Sequence, residues 1–413
     1  MPGRPAIAAA PDGPSLARAS ATLAARYRVQ LVDRAADLPG DWSAVRAIDS
    51  SLLMDPRFLT TVERAFPLAR CYHALVHDER AQPCAWASLC AFPIDLVTLA
   101  GPGLRSVFER CRAIRPDFGH LHALLVGLPV SLGQSHLAIA PHANVPAILM
   151  ALDDVCADIA TRERASLIVW KEFDPGADAR LEPLWARGYR RAESPAMHEL
   201  AACFADFESY CGALKSHYRN DVRRSERTFR AAGFRVAHLD DPDVIARVYT
   251  PEVHRLYEAV VARAAVKLEL LPIEFFRELV RQFPKLVTLT VVSQRSRIVA
   301  FNWALLDGRV HRYLFCGMDY AVASDTGLYF GLMYHQLDFA LRLGADRIEM
   351  GQTADMFKAR LGCRSIPRSV YVKGVRTLSR VALWYGFSRL FPRRPPIPVR
   401  AVFREVPTTT PRD

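Results

Sequence analysis

The stretch from Ile298 to Lys373 constrains the fold more than any other part of this chain. IVAFNWALL (298–306) and VHRYLFCGMDY (310–320) are apolar or aromatic runs, and Asp307-Gly308 between them is a hairpin signal. DTGLYFGLMYHQLDFALRLG (325–344) then predicts a helix, with Ser324 to Thr326 as cap candidates and Gly344 as its stop. DRIEMG (346–351) reads as a short strand carrying one acid, Glu349, among apolar neighbours. Phe357-Lys358-Ala359-Arg360-Leu361-Gly362 follows as a small helix before a last strand. The order is strand, strand, buried helix, short strand, small helix, strand.

Bulk properties set the limits around this stretch. At 413 residues the chain is too long for one ordinary core, so two domains are expected. Half of the residues are apolar and under a quarter are charged, as in a folded globular protein. The 54 Lys and Arg exceed the 43 Asp and Glu, and the net charge of +11 favours phosphate-bearing or membrane-surface partners without choosing between them. Nine scattered cysteines without a Cys-x-x-Cys pair argue against a disulfide framework or a metal site and fit a reducing cytoplasm. Residues 1–26, rich in Ala, Pro and Arg, read as a disordered leader, because no apolar core follows Arg4. No apolar run reaches the roughly 18 residues of a membrane span.

Upstream of the opening stretch, YRVQLVD (27–33) reads as a strand and FLTTVERAF (58–66) as a helix. CYHALVH (71–77), CAWASLCAFPI (84–94) and HALLVGLPVS (122–131) follow as strands, and VPAILMALDDVCADIATRER (145–164) is a strongly periodic helix. SLIVWKEF (166–173) is a buried strand, and LEPLWARGY (181–189) ends a helix at Gly188. Helices are then expected over 215–233, 251–264 and 272–283, and VTLTVVS (287–293) leads into the hairpin.

This order, closing on Phe357-Lys358 and Leu361-Gly362, resembles acyltransferases of the GNAT superfamily, in particular the Fem-type and cellulose-biosynthesis-associated branch. The resemblance spans roughly residues 30–375 and is strongest over 204–373. It implies an α/β (α+β) fold of two tandem GNAT-like units, each a mixed central sheet flanked by helices. The first is a degenerate unit at 27–203 and the second an acyltransferase unit at 204–376. An amphipathic helix and a basic, proline-rich tail occupy 377–413. The implied activity is transfer of an acyl group from acyl-CoA or another thioester to an amine of a small molecule, amino sugar or envelope precursor, by direct attack. Acyl-CoA is then a co-substrate, and no cofactor is permanently bound. Fem-type aminoacyl transfer from tRNA is the alternative within enzymes; a non-catalytic binding protein with a degenerate fold is the alternative outside them.

Several residues carry chemistry under this reading. Asn302, His311, Tyr313, Glu349 and Gln352 interrupt runs that should be buried. Each serves either a satisfied core network or a site. A buried carboxylate with a raised pKa suits a general base for an amine, which gives Glu349 that role. Tyr313 would supply a phenolic proton and Asn302 a hydrogen bond to the carbonyl oxygen. The resemblance implies that Lys358 helps to bind the acyl substrate and offsets charge on its carbonyl oxygen. It also places the donor's phosphates at the turn before the buried helix, where Ser324, Thr326 and Gly327 stand, with Gln352 and Arg223 as further binding candidates. Only one glycine, Gly327, stands at that turn, so it is also read as a plain cap cluster.

On the 215–233 helix, Tyr218, Val222, Ser225 and Phe229 share one face, while Arg219, Arg223, Arg227 and Arg230 share another arc. That arc is either a solvated surface or a comb for CoA phosphates, a tRNA backbone or anionic lipid. His73 to Asp78 (His-x4-Asp) and His335 to Asp338 imitate motifs of other acyltransferases, but the first lies on a strand and the second in a helix. In TLSRVALWYGFSRLF (377–391) aromatic residues alternate with arginines, which suits either a helix packed on the body or one lying on an anionic membrane. The chain is thus expected in the cytoplasm, with peripheral contact at the inner membrane face left open.

Overall fold

A computed structural model describes residues 26–40, 42–43, 49–99, 102–130, 132–264, 270–323, 326–397 and 399–405. The expected leader before Arg26, the cap candidate Ser324 and the end of the tail from 406 onward lie outside the described residues.

The strands are β1 (Arg28–Val32), β2 (Arg70–His77), β3 (Pro83–Asp95), β4 (His120–Val126), β5 (Leu137–Ile139), β6 (Leu167–Phe173), β7 (Arg190–Ala201), β8 (Arg235–Leu239), β9 (Val287–Gln294), β10 (Arg297–Asp307), β11 (Val310–Met318), β12 (Arg347–Gly351) and β13 (Arg364–Gly374). They form one continuous mixed sheet in the order β1-β2-β3-β4-β6-β13-β7-β12-β11-β10-β9-β8, with β5 beside β3. The two halves repeat one plan. In each, an antiparallel run (β1 to β4, β8 to β11) ends in a parallel pair, β4 with β6 and β11 with β12. The closing strand of each half is exchanged. β7 pairs with β12, β13 pairs with β6, and β7 and β13 pair with each other from Glu199↔Arg364 to Arg190↔Val372.

The helices used below are α1 (Pro56–Ala65), α2 (Val145–Arg162), α3 (Ser216–Ala231), α4 (Pro251–Arg263), α5 (Ile273–Gln282), α6 (Leu328–Arg342), α7 (Asp355–Arg360) and α8 (Thr377–Leu390). Parallel neighbours need a crossover, and α2 and α6 supply it in the two halves. Tyr218, Val222 and Phe229 of α3 are buried, as the wheel predicts. On one face of the sheet α1 and α5 pack together across the halves, Phe58 edge-on to Phe275. On the other face α6 buries Leu328, Leu332 and Leu337 against β10 to β12, with α3 outside it. No helix of the described residues is long and apolar enough to cross a membrane.

Differences from the sequence expectations have local causes. β4 stops at Val126 because Gly127 turns the chain at φ +139, where a Cβ would strike the Lys171 side chain at 2.7 Å. The helix expected to end at Gly188 is split into Pro175–Leu181 and Pro183–Ala186.

Two outcomes are expected. Each half lacks its own closing strand, so the chain should melt in a single calorimetric transition rather than two. A Cβ on Gly331 would lie 2.1 Å from the Phe229 ring. Gly331→Ala should therefore push α6 off α3 and cost about 1–3 kcal/mol in urea denaturation.

Candidate functional site

The parallel pair β11/β12 is short. Register runs only from Val310↔Arg347 to Arg312↔Glu349, while β11 continues to Met318. From Tyr313 onward the two strands part. A bulge accompanies the parting: opposite Trp303 and Ala304 of β10 stand Phe315 and Tyr313, so Leu314 is extra. A bulge leaves backbone groups unpaired and re-aims side chains. Here it turns Tyr313 and Cys316 to the same side of the sheet, the side covered by α6.

Lys358 closes the mouth of this parting. It is buried, and its Nζ donates to the Gly351 carbonyl (2.9 Å) and the Gln352 carbonyl (2.7 Å). The loop that presents these oxygens is bent through left-handed residues at Gly351, Thr353 and Ala354, the last two non-glycine at φ 65° and 54°. Such conformations cost energy and persist only where their surroundings hold them. An ammonium has three donors, so one remains beyond the two carbonyls. Burial lowers the Lys358 pKa to about 8. Its thiol and phenol neighbours stay protonated, since burial pushes Cys363 up to about 12 and raises Cys316 and Tyr313. Lys358 is thus a buried cation beside neutral thiols, with the Asp355 carboxylate as a counter-charge.

Several other buried polar atoms on this side lack a hydrogen-bond partner among the described residues, His311 Nδ1 and Nε2 and Gln336 Oε1 among them. Tyr313 Oη and Asn302 Oδ1 are buried without a hydrogen bond of ordinary geometry among the described residues, although the Tyr313 phenol lies close enough to Asn302 and Cys316 to interact with both. Asn302 is fixed by its Nδ2, which donates to the Trp303 and Phe315 carbonyls at 3.0 and 3.1 Å. Unsatisfied buried groups cost about 1–3 kcal/mol each, and their presence on the side of the sheet that carries the buried Lys358 ammonium makes this a candidate site.

His198 belongs to the same region and no sequence signal identified it. It sits on β7 opposite Gly351, on the side where Leu200 meets the α6 core. Its Nε2 lies 2.8 Å from Asp355 Oδ1, at the start of α7, and its Nδ1 is buried without a partner. Burial lowers its pKa. Only the strand exchange brings β7 here, so spacing along the chain could not reveal it.

Glu349 lies on the opposite face. Ile348 and Met350 on either side of it enter the α6 core, and alternation along β12 sends Glu349 the other way. It pairs with Arg312 and, at 3.4 Å, with Arg347. Arg312 also holds Asp307 (3.0 Å) and Ser51 Oγ (3.3 Å), and Ser51 Oγ donates to Gln134 Oε1 (3.0 Å). Glu349 is therefore part of an ion-pair network tying loops of the first half to strands of the second. This placement gives no support to its expected role as base.

The donor-binding candidates divide as well. Thr326 Oγ1 donates back to the Val322 carbonyl (2.7 Å), and Gly327 (φ +68) precedes the first residue of α6, Leu328, without a side-chain cap. A Cβ on Gly327 would lie 3.2 Å from the Ser225 carbonyl of α3. Arg223, on that same helix, is exposed. Gln352 instead anchors the Lys358 loop, its Nε2 donating to the Pro195 carbonyl (2.8 Å). The two groups are linked by Tyr329 and Phe330 of α6, whose rings meet Phe357 at 4.8 and 4.7 Å. Beyond the end of β11 a cleft of about 1040 Å³ opens beside α4, lined by Arg247, Arg255, Arg263 and Arg297 against Glu252 and Asp319. Arg263 lies 3.7 Å over the Tyr320 ring. His73, of the His-x4-Asp pattern, is instead buried in β2 between Glu63 (2.8 Å) and Ser88 (3.0 Å).

Residues 216–359 match the model of the acetyltransferase (GNAT) domain family. By sequence, no curated protein matches the chain. Among solved structures, FemX aligns at TM-score 0.51 with 12% identity, covering 83% of this chain and 96% of its own. A tandem GNAT protein from the clavulanic acid biosynthesis pathway aligns at 0.51 with 13% identity, covering 84% and 99%. A conserved protein of unknown function from Bacteroides thetaiotaomicron VPI-5482 aligns at 0.50 with 13% identity, again covering 84% and 99%. The GNAT-type segment of this chain is accordingly residues 216–359, within its second half. As a whole the chain is similar in fold to FemX and to the tandem GNAT protein, with a mixed α/β architecture of two like halves.

Tyr313→Phe separates stability from function at this site. Removing an unpartnered buried hydroxyl should leave thermal stability equal or higher, by up to about 1 kcal/mol. A lower melting point would show that the phenol is already satisfied.

Proposed function

We propose that the protein is an N-acyltransferase that moves an acyl group from acyl-CoA to an amine of a small-molecule, amino-sugar or envelope-precursor acceptor. The observation that carries this reading is the buried Lys358 ammonium at the mouth of the β11/β12 parting, with one donor to spare on the side of the sheet that carries Asn302 and Tyr313. A thioester carbonyl entering the parting would meet that cation, which suits the negative charge that develops on oxygen as the amine attacks. The new C–N bond forms as the C–S bond breaks. The leaving thiolate takes a proton from Tyr313. The attacking amine passes its proton to His198 Nδ1, left free as an acceptor when Nε2–H donates to Asp355. Glu349 then holds Arg312 and the two halves in place. The arginines beside α4 favour a phosphate-bearing ligand in the adjoining cleft.

One observation favours a second donor, aminoacyl-tRNA: the exposed Arg223, Arg227 and Arg230 on α3. The long helical arm that often accompanies Fem-type ligases has no counterpart among the described residues, where the longest helix, α2, has 18 residues.

The test is release of free CoA thiol from acyl-CoA in the presence of amino sugars and other amines. Turnover should fall about 100-fold or more in Lys358→Met, the usual effect of losing one oxyanion donor. Transfer from charged tRNA alone would establish the second reading. Inactivity with both donors would leave a binding protein.

The pH dependence gives an independent check. A lysine whose pKa is lowered to about 8 donates below that pH and loses its proton as the pH rises through it. Transfer should therefore decline above about pH 8, although deprotonation of the acceptor amine favours the reaction there. Lys358→Arg, which keeps its charge, should remove the decline.

A further inference from the structure

Helix α8 is docked and yet apolar on its outer side. Leu383, 5% exposed, packs with Phe387, Leu390 and Phe391 against Leu125, Leu167 and Val372 of the sheet. Arg190 fixes the contact, its guanidinium 4.0 Å over the Phe387 ring and its Nη1 donating to the Leu383 carbonyl at 2.8 Å. A helix that covers a sheet with one face ordinarily turns polar residues outward. α8 instead exposes Leu378 (85%), Val381 (49%), Trp384 (74%) and Tyr385 (77%). At about 100° per residue, Leu378, Val381 and Tyr385 form one ribbon with Trp384 beside it. Nothing in the described chain covers this ribbon.

Along the chain, the charge on and after α8 is of one sign. From Arg376 to Arg400 the sequence holds Arg376, Arg380, Arg389, Arg393, Arg394 and Arg400 and no acid. The nearby Glu193 accepts from the Arg394 backbone N–H (2.8 Å).

We propose that this face seats the protein on an anionic lipid bilayer. Leu378, Val381, Trp384 and Tyr385 enter the headgroup boundary, and the arginines meet the lipid phosphates. Trp and Tyr are suited to that boundary, where one end of the ring is apolar and the other wet. With 14 residues α8 is about 21 Å long, too short to cross the roughly 30 Å hydrocarbon core, so it lies in the plane of the surface. Residues 376–400, with six arginines and no acid, oppose a second copy of the same segment and attract a negative sheet of phosphates. The proposal is independent of the acyl-transfer reading.

The test is flotation of the full-length protein with vesicles of phosphatidylcholine alone and of phosphatidylcholine mixed with phosphatidylglycerol. The protein should float with the mixed vesicles at low salt, at least about tenfold less with the neutral ones, and less at high salt. The triple variant Leu378→Ser, Trp384→Ser, Tyr385→Ser should lose flotation while keeping the wild-type circular dichroism and melting point, because all three side chains point outward. Absent flotation at low salt, or equal flotation of wild type and triple variant, would overturn the proposal. A doubled mass in light scattering that the triple variant abolishes would assign the ribbon to a second copy and would overturn it too.

Discussion

The antiparallel pairing of β7 with β13 is the contact on which the rest of the molecule depends. Each half builds a sheet that lacks its last strand and takes that strand from the other. Backbone hydrogen bonds left open at a sheet edge are costly when buried, so neither half can close alone. The exchange makes one body of two units and also places the site. β7 delivers His198 to Asp355 and the Gly351 loop, while β13 follows directly on α7, which carries Lys358. The candidate centre thus stands at the seam.

The two faces of the sheet treat polar groups differently. On the face of α1 and α5, Glu349, Arg312, Asp307 and Ser51 are bonded to one another. Breaking one member would leave a buried charge uncompensated, so this network fixes how the halves meet. On the α6 face, Lys358 donates to backbone carbonyls, and Tyr313, Asn302 and His198 each keep a polar atom without an ordinary hydrogen bond among the described residues. Satisfied polar groups hold a structure together; unsatisfied ones, held by a strained loop, can meet a reactant. Unpartnered buried atoms occur on both faces, Trp42, Trp86 and Trp303 Nε1 on the α1/α5 side among them, so it is the buried Lys358 ammonium that favours the α6 side in the proposed reading.

Much of the fold was legible because it rests on local periodicity. Helix α2, the β10/β11 hairpin and the buried face of α3 follow from spacing and turn residues. So does the presence of polar side chains where Asn302, Tyr313 and Lys358 stand. The missing parts are those that only tertiary pairing decides. RRAESPAMHELA (190–201) alternates poorly and contains Pro195, and it becomes a 12-residue strand because β12 and β13 flank it. His198 was hidden with it. The side to which Glu349 points depends on the register of β12 against β7 and β11, and a one-residue difference would reverse it.

The central claim, that the acyl group is transferred at the Lys358 parting, is tested most directly by a crystal structure with a non-hydrolysable acyl-CoA analogue bound. The account predicts the acyl carbonyl oxygen within about 3 Å of Lys358 Nζ, on the α6 side of the sheet between β11 and Gly351. An analogue seated instead on the Glu349 side, its carbonyl facing Arg312, would contradict it.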